Sequence, residues 1–319
     1  MTKKPVASLS LDLDNQWSYM KTHGDKDWDK YPSYLHIFLP YILDIFDELN
    51  IKITFFIVGK DAAIESNQPY ISAITKRGHD VGNHSFNHEV WLSTYSKEEV
   101  HRELEQAEQI IEQVTGKKPI GFRGPGFSWS PALFDTLIER GYKYDGSTLP
   151  TFLGPLARLY FFLTSNFTKE ERKKRKDLFG NFKEGFRPVR PYFWKINGNK
   201  LLEIPVTTIP ILKIPFHISY LLYLSRISKY LMMFYLNISL FFCRMTHTQP
   251  TILLHPLDLI SGDQIPELKF FPGMDIPSSK KTETFKLILK KLQKHYNLKT
   301  LNEHYFTLDQ SSIKKVVNF

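Results

Sequence analysis

Four short stretches of this 319-residue chain hold the side chains best suited to chemistry. The first is Asp12-Leu13-Asp14. In an extended segment, alternation puts both carboxylates on one face. Two acids held close can divide their work, one binding a cation while the other stays free as a base. Alone, such a pair reads better as a solvated strand end or a helix cap. The second stretch is His84-Ser85-Phe86-Asn87-His88. Two His four apart can meet on one face of a helical turn and share a cation. Chance alone could supply such a pair in a chain with 11 His. With Asp14 they would give two imidazoles and a carboxylate, leaving positions open for water and substrate. The third is Arg123-Gly124-Pro125-Gly126-Phe127, whose glycines let backbone approach a ligand closely. The fourth is Leu253-Leu254-His255-Pro256-Leu257-Asp258. In isolation the third reads as a plain loop and the fourth as a core histidine.

The elements that must position these residues alternate along the first half. Val6–Leu13 reads as a buried strand ending in acids, and Leu35–Asn50 is apolar at helical spacing. Ile53–Val58 is a β-branched and aromatic run closed by Gly59, hence a strand. Pro69–Arg77 is a short helix stopped by Gly78, and Asp80–His84 a short strand. Ser96 and Glu99 form a capping-box signature. Val100, Leu104, Ala107, Ile111 and Val114 then line one helix face, with Gly116 just past its end. Phe122 marks a brief strand, Leu133–Arg140 a helix, and Tyr142–Tyr144 the next strand. Further on, Leu201–Pro205 and Thr251–His255 read as strands, Thr282–His295 as a basic amphipathic helix, and Thr300–Leu308 as an extended piece. Repeated β-α units predict an α/β fold with a parallel sheet or barrel, and function at the carboxyl ends of its strands. Each of the four motifs falls at or just beyond such an end.

Composition narrows the class. Hydrophobic residues make up 42% and charged residues 24%, which excludes a disordered or collagen-like chain. The single cysteine, Cys243, excludes an internal disulfide and a zinc ribbon. The net charge of +9 points to an anionic partner. No recognition helix, RNP-type motif or zinc finger accompanies it, so nucleic acid is not the expected partner. The opening Met1–Lys4 and the acids that follow Leu11 do not form a secretory signal.

Taken in this order, with Thr54-Phe55-Phe56 and Gly78–His84 between them, the motifs resemble the polysaccharide deacetylase family. These are the NodB-homology, or carbohydrate esterase family four, enzymes. The resemblance runs from about Val6 to His255. It implies a distorted (β/α)7 barrel and metal-dependent hydrolysis of the N-acetyl or N-formyl amide of an amino sugar. It implies a metal triad of Asp14, His84 and His88, a catalytic base at Asp12 and a catalytic acid at His255. Arg123 would orient the base. The expected metal is Zn2+, with Co2+, Ni2+ and Mn2+ also suited to two imidazoles and a carboxylate. Gly124, Pro125, Gly126, Phe127 and Leu253 would contact substrate, a backbone N–H of the glycine loop would hold the oxyanion, and Trp194 could stack on a sugar ring. Two departures stand out. The family's adjacent Asp-Asp is here Asp12-Leu13-Asp14, a spacing similar to the lipid-linked aminoarabinose deformylases and some intracellular-type peptidoglycan deacetylases. The usual Asp-Trp motif is missing after Tyr144, so the partner of His255 is either Asp145 or Asp258.

The middle of the chain breaks the alternation. We read residues 1–319 as one domain with an apolar helical insertion at about 149–245. Leu149–Leu163 and Phe216–Phe242 are strongly apolar, the latter nearly all round, yet Arg226 and Lys229 argue against a spanning helix. The run Arg172–Lys176, beside Phe179 and Phe182, suits anionic headgroups. The expected substrate is therefore a polyprenyl-phosphate-linked N-acetylhexosamine of lipid A or envelope glycan modification. The expected location is cytoplasmic and peripheral on the inner face of a bacterial inner membrane. One alternative is a deacetylase of soluble chito-oligosaccharide or peptidoglycan-type glycan. Another is a non-catalytic glycan-binding barrel that uses Trp91, Trp129 and Trp194.

Overall fold

Strand β1 (Val6–Leu13) divides the sequence between core and site. Leu9, Leu11 and Leu13 turn outward into the main apolar core, while Ser8, Ser10 and Asp12 share the opposite face; all six are buried. The structure is a computed structural model, and it describes residues 4–163, 167–174 and 180–318. Beside β1 run β2 (Thr54–Ile57) and β3 (Asp80–Asn83), then β4 (Gly121–Phe122) and β5 (Tyr144–Asp145), all parallel. The hairpin β6 (Tyr192–Ile196) and β7 (Asn199–Glu203) follows, with β7 pairing parallel to β5. On the other side of β1 lie β8 (Thr251–Leu254) and β9 (Asn297–Thr300), both parallel to it. Strand β10 (Val316–Asn318) extends the β6 edge. No ladder joins β7 to β8. The two are bridged by the residues after β7, where the Thr207 N–H donates to the Thr251 carbonyl at 3.0 Å. The result is the expected α/β fold with a parallel-rich sheet.

The helices cover the outer face. They are α1 (Gln16–His23), α2 (Leu35–Glu48), α3 (Gly59–Ala63), α4 (Gln68–Lys76), α5 (Lys97–Thr115) and α6 (Pro131–Glu139) in the regular half. The other half holds α7 (Gly154–Leu163), α8 (Lys169–Lys174), α9 (Ile218–Ile227), α10 (Lys229–Met245), α11 (Ser278–His295) and α12 (Leu301–Thr307). The capping box of α5 is present in both directions, and Gly116 closes the helix at φ 70°, in the left-handed region.

Two sequence expectations change. Phe216–Phe242 is two helices, not one, because Ser228 is extended (φ −161°) and its Oγ accepts the Leu231 N–H to start α10. The segment is apolar on both faces, as expected, but only one face is buried. Leu221, Met232, Leu236 and Leu240 face the core, whereas Ile227, Tyr230 and Phe234 are 75%, 89% and 62% exposed. Thr300–Leu308 is a helix, not an extended piece, started by a Thr300–Glu303 capping box. Of the basic run, Arg175 and Lys176 lie outside the described residues, as does Phe179. Among the described residues no helix is long and apolar enough to cross a membrane.

Candidate metal centre and its neighbours

Asp14 stands one residue past the end of β1, and His84 one residue past β3. Their ligand atoms and that of His88 lie within 4.8 Å of one another, and all three residues are buried. Asp14 Oδ1 is 2.9 Å from His88 Nε2 and 3.4 Å from His84 Nε2. Yet that oxygen has no hydrogen-bond partner. The three ligand atoms converge on one point. The second shell explains part of this. The His84 Nδ1–H donates to the Arg123 carbonyl at 2.6 Å, which leaves the Nε2 lone pair facing Asp14. Burial alone would raise the Asp14 carboxyl, but the neighbouring His88 and His84 rings hold it well below the usual carboxylate range. A buried carboxylate oxygen without a donor, facing two imidazole nitrogens, fits a divalent cation.

The segment that carries the two His is not the helical turn expected from their spacing. It is an irregular bend in which Ser85 and His88 take φ of 61° and 51°. Non-glycine residues there need support from outside. Glu103 on α5 supplies it, accepting the N–H groups of Phe86 and Asn87 at 2.9 Å each, and Ser85 Oγ accepts the His88 N–H. Glu103 was not singled out from sequence. Its signal was there: an acid between Val100, Leu104 and Ala107, on the stripe that must be buried. Asn15 and Tyr34 were missed too. Asn15 Oδ1 caps α1, and the Tyr34 hydroxyl donates to the Asp14 carbonyl at 2.5 Å.

Asp12 lies beside this centre, 5% exposed, and is held by Arg123. The fully buried guanidinium donates through Nη1 to Asp12 Oδ1 and to Ser10 Oγ, both at 2.8 Å, and through Nε to the Gly146 carbonyl at 3.0 Å. Its planar group also lies over Phe56, 4.4 Å from the ring centroid. A carboxylate gripped this way is fixed in direction. The glycine loop behind Arg123 is tight. A Cβ on Gly124 would lie 1.9 Å from the Ser128 carbonyl oxygen. The loop is less free to bind an oxyanion than expected, because the Gly124 N–H already donates to Ser147 Oγ and the Phe127 N–H to the Gly124 carbonyl. Pro125 is buried and has no N–H to offer, while Gly126 and Phe127 are half-exposed.

His255 follows β8 and is half-buried. Leu253 pairs with Ser10 across the β1–β8 ladder, so it sits on the Asp12 side of the sheet, fully buried. Of the two expected aspartates, Asp258 lies beside His255 and Asp145 is engaged elsewhere. Asp258 accepts the His255 backbone N–H at 2.8 Å. Asp145 instead accepts the Ser147 N–H and hydroxyl, at 3.0 and 2.7 Å, and lies against Glu203. Burial pushes both carboxyls upward; the Asp145 charge raises Glu203 further, while the hydrogen bond with Glu203 offsets part of the rise at Asp145. The ring beside His255 is His217, with centroids 6.2 Å apart. Burial first, then His255, pushes His217 down to about 3. Trp194 cannot stack on a sugar: it is 1% exposed, packed against Phe134 and Tyr192, and donates to Glu203 at 3.0 Å.

Fold and site define a parallel-sheet α/β protein with a three-ligand candidate metal centre at its strand ends, beside an arginine-held carboxylate. Residues 27–144 match the family model described as polysaccharide deacetylase. That span includes His84, His88 and Arg123. A peptidoglycan deacetylase from Helicobacter pylori is 28% identical over 153 residues, 47% of this chain and 51% of that protein. A peptidoglycan-N-acetylglucosamine deacetylase from Bacillus cereus is 30% identical over 106 residues, 33% of this chain and 48% of that protein. The chain thus spans about half the length of these curated relatives. A crystal structure from Mycobacterium smegmatis, named for the same family, superposes over 98% of this chain and 93% of its own, with TM-score 0.61 and 16% identity. Residues 27–144 thus carry the likeness to the polysaccharide deacetylase family, and the Mycobacterium smegmatis structure shares the fold over nearly the whole chain.

Proposed function

We propose that this protein is a metal-dependent N-deacetylase acting on N-acetylated amino sugars of a peptidoglycan-type or chito-oligosaccharide glycan. The observation that carries the reading is the unsatisfied Asp14 oxygen facing His84 and His88, with Asp12 clamped beside it. Zn2+ is the metal we propose. Held by Asp14, His84 and His88, a divalent cation would polarise the acyl oxygen and acidify a water. Asp12, fixed by Arg123, takes the proton of the water that adds to the amide carbon. His255 gives a proton to the amine as the C–N bond breaks. The products are a free amino sugar and acetate. The names of the bacterial relatives support the glycan class.

A second reading keeps the chemistry and changes the substrate to a polyprenyl-phosphate-linked N-acetylhexosamine. It places the protein peripherally on the inner face of a bacterial inner membrane. The exposed apolar residues of α7, α9 and α10 favour it: Leu156, Ile227, Tyr230 and Phe234 are each more than half exposed.

Acetate release from zinc-loaded protein tests both. The panel is chitotetraose, a peptidoglycan fragment and a prenyl-diphosphate N-acetylglucosamine, with Asp12→Asn as control. The expected result is release that falls at least ~100-fold in the control, with zinc content retained. Equal activity in the control would remove Asp12 from its role, and release from the prenyl substrate alone would select the second reading.

A further inference from the structure

We propose that Lys60, with the indoles of Trp17 and Trp28, forms a subsite for an anionic substituent, a carboxylate or phosphate, carried by the sugar substrate. The proposal deepens the deacetylase reading and rests on it for the identity of the substrate. Trp17 lies three residues past Asp14, and its ring meets that of the candidate ligand His88 edge-on, centroids 6.3 Å apart. Its other neighbour is Trp28, at 5.6 Å. Lys60 Nζ sits 4.8 Å from the Trp17 centroid and 4.5 Å from that of Trp28. A single indole therefore separates this ammonium from the metal ligands.

Two lysines share the indole pair, but only one has a counterion. Lys21, 4.8 Å from the Trp28 centroid, pairs with Glu89 at 2.6 Å and donates to the Asn87 carbonyl at 3.0 Å. Lys60 makes no ion pair or side-chain hydrogen bond among the described residues. Of the nearby acids, Asp29 acts on Lys60 only through space and forms no ion pair with it, Glu89 is held by Lys21, and Asp61 accepts from Asn15 and Trp17 at 2.7 and 2.9 Å. Burial, then the Lys21 charge, moves the Lys60 ammonium below its usual range. A half-buried cation with no carboxylate in direct contact is costly to keep, and cation–π contact and the more distant acids offset only part of that cost. The backbone nonetheless fixes it there: the Lys60 N–H donates to the Phe86 carbonyl at 3.0 Å, inside the bend that presents His84 and His88. Trp28 and Trp91 are half-buried, so their ring edges border the site. An anion on a bound sugar would supply the missing counterion and a charge-assisted hydrogen bond.

Were the cluster only a clip between α1 and α3, removing the charge would lower stability and leave ligand preference as it was. Calorimetry on the zinc-loaded full chain, in an Asp12→Asn background that blocks turnover, separates these. The ligands are neutral chitotetraose, a tetrasaccharide whose alternate N-acetylglucosamines bear a lactyl ether carboxylate, and a short-prenyl diphosphate N-acetylglucosamine. With Lys60 present, one anionic ligand is expected to bind about tenfold tighter than chitotetraose. Lys60→Met and Lys60→Gln should erase that ratio and Lys60→Arg keep it. The ligand that shows the ratio identifies the anion as carboxylate or phosphate. No preference with Lys60 present, or a ratio that survives Lys60→Met and Lys60→Gln, would overturn the subsite. Acetate release by protein with Asp12 intact is read alongside. Silence there with the ratio intact removes the deacetylase reading and leaves the subsite; release without the ratio removes the subsite alone.

Discussion

At the residue scale, the bend from His84 to His88 puts two imidazoles on one point only because groups outside it hold an awkward backbone. Glu103 is the main brace, with its carboxylate on two successive N–H groups. Its removal leaves the ligands in place chemically but unfixed in direction. Glu103→Ala is therefore expected to weaken zinc binding by about 10–100-fold, as loss of an outer-shell group usually does. Competition with a coloured chelator measures this, and an affinity equal to that of the unmodified protein would remove Glu103 from the site. The residues easiest to read from sequence were those at strand ends: Asp12, Asp14, His84, Arg123 and His255 each announce themselves where an apolar run stops. His217 and Ser147 were not legible, because their contacts come from distant parts of the chain. Trp194 misled for a related reason. An indole can be a sugar platform or a core ring, and only its partners Phe134, Tyr192 and Glu203 decide.

At the element scale, local signals were reliable where one helix carried its own start and stop. Helix α5 begins at Ser96 and ends at Gly116 as its capping residues dictate. Both directions of its box are made, Ser96 Oγ accepting the Glu99 N–H at 3.2 Å and Glu99 accepting the Ser96 N–H at 2.8 Å. Ser96→Ala is expected to lower the unfolding free energy by about 1 kcal/mol. Glu99→Ala added to it should cost less than the two single changes summed, since each bond orients the other. Urea titration of the three variants checks this; strict additivity would show the two bonds to be independent. Hydrophobic pattern alone was less reliable. Phe216–Phe242 kept one apolar period across Ser228, yet the chain turns there because the serine caps a new helix. Thr300 and Glu303 form the same box as Ser96 and Glu99, so α12 was in principle legible. The strand-like run before it masked the signal.

At the scale of the whole molecule, buried histidines and buried acids pull stability in opposite directions with pH. His304 is fully buried between Ser8 Oγ at 2.9 Å and Gln249 Oε1 at 2.8 Å, and burial pushes it from 6.5 down to about 4. Between those values the unfolded chain binds the proton and the folded one does not. Stability from this group is therefore present above about 6.5 and lost as pH falls toward 4, on the order of 2–3 kcal/mol in all. Asp61 works the other way, since burial raises its carboxyl to about 7, so its contribution is lost as pH rises. The test must then compare variants. In metal-free protein, His304→Gln should show a smaller drop in unfolding free energy from pH 7 to pH 5 than the unmodified chain; an equal drop would place the acid sensitivity elsewhere. The surface poses the other whole-molecule question. Phe152 meets Phe182 and Phe186 at 4.9 and 5.1 Å, Lys213 bonds the Arg187 carbonyl, and the Tyr235 hydroxyl bonds the Pro215 carbonyl at 2.8 Å. These contacts link the turn before α7, residues 182–187, the loop at Ile211 and α10, where Phe182, Phe186, Ile211, Tyr230 and Phe234 are exposed beside lysines and arginines. Such a surface suits the interface of an anionic bilayer, where apolar side chains enter and basic ones meet headgroups. Co-sedimentation with phosphatidylglycerol vesicles is expected at low salt and should weaken as salt screens the charges. Replacing Tyr230 and Phe234 by Ser should reduce it severalfold without lowering the melting temperature, because both side chains already face water. Binding that ignores both the double substitution and the salt would detach this surface from the membrane and leave the glycan reading to stand without it.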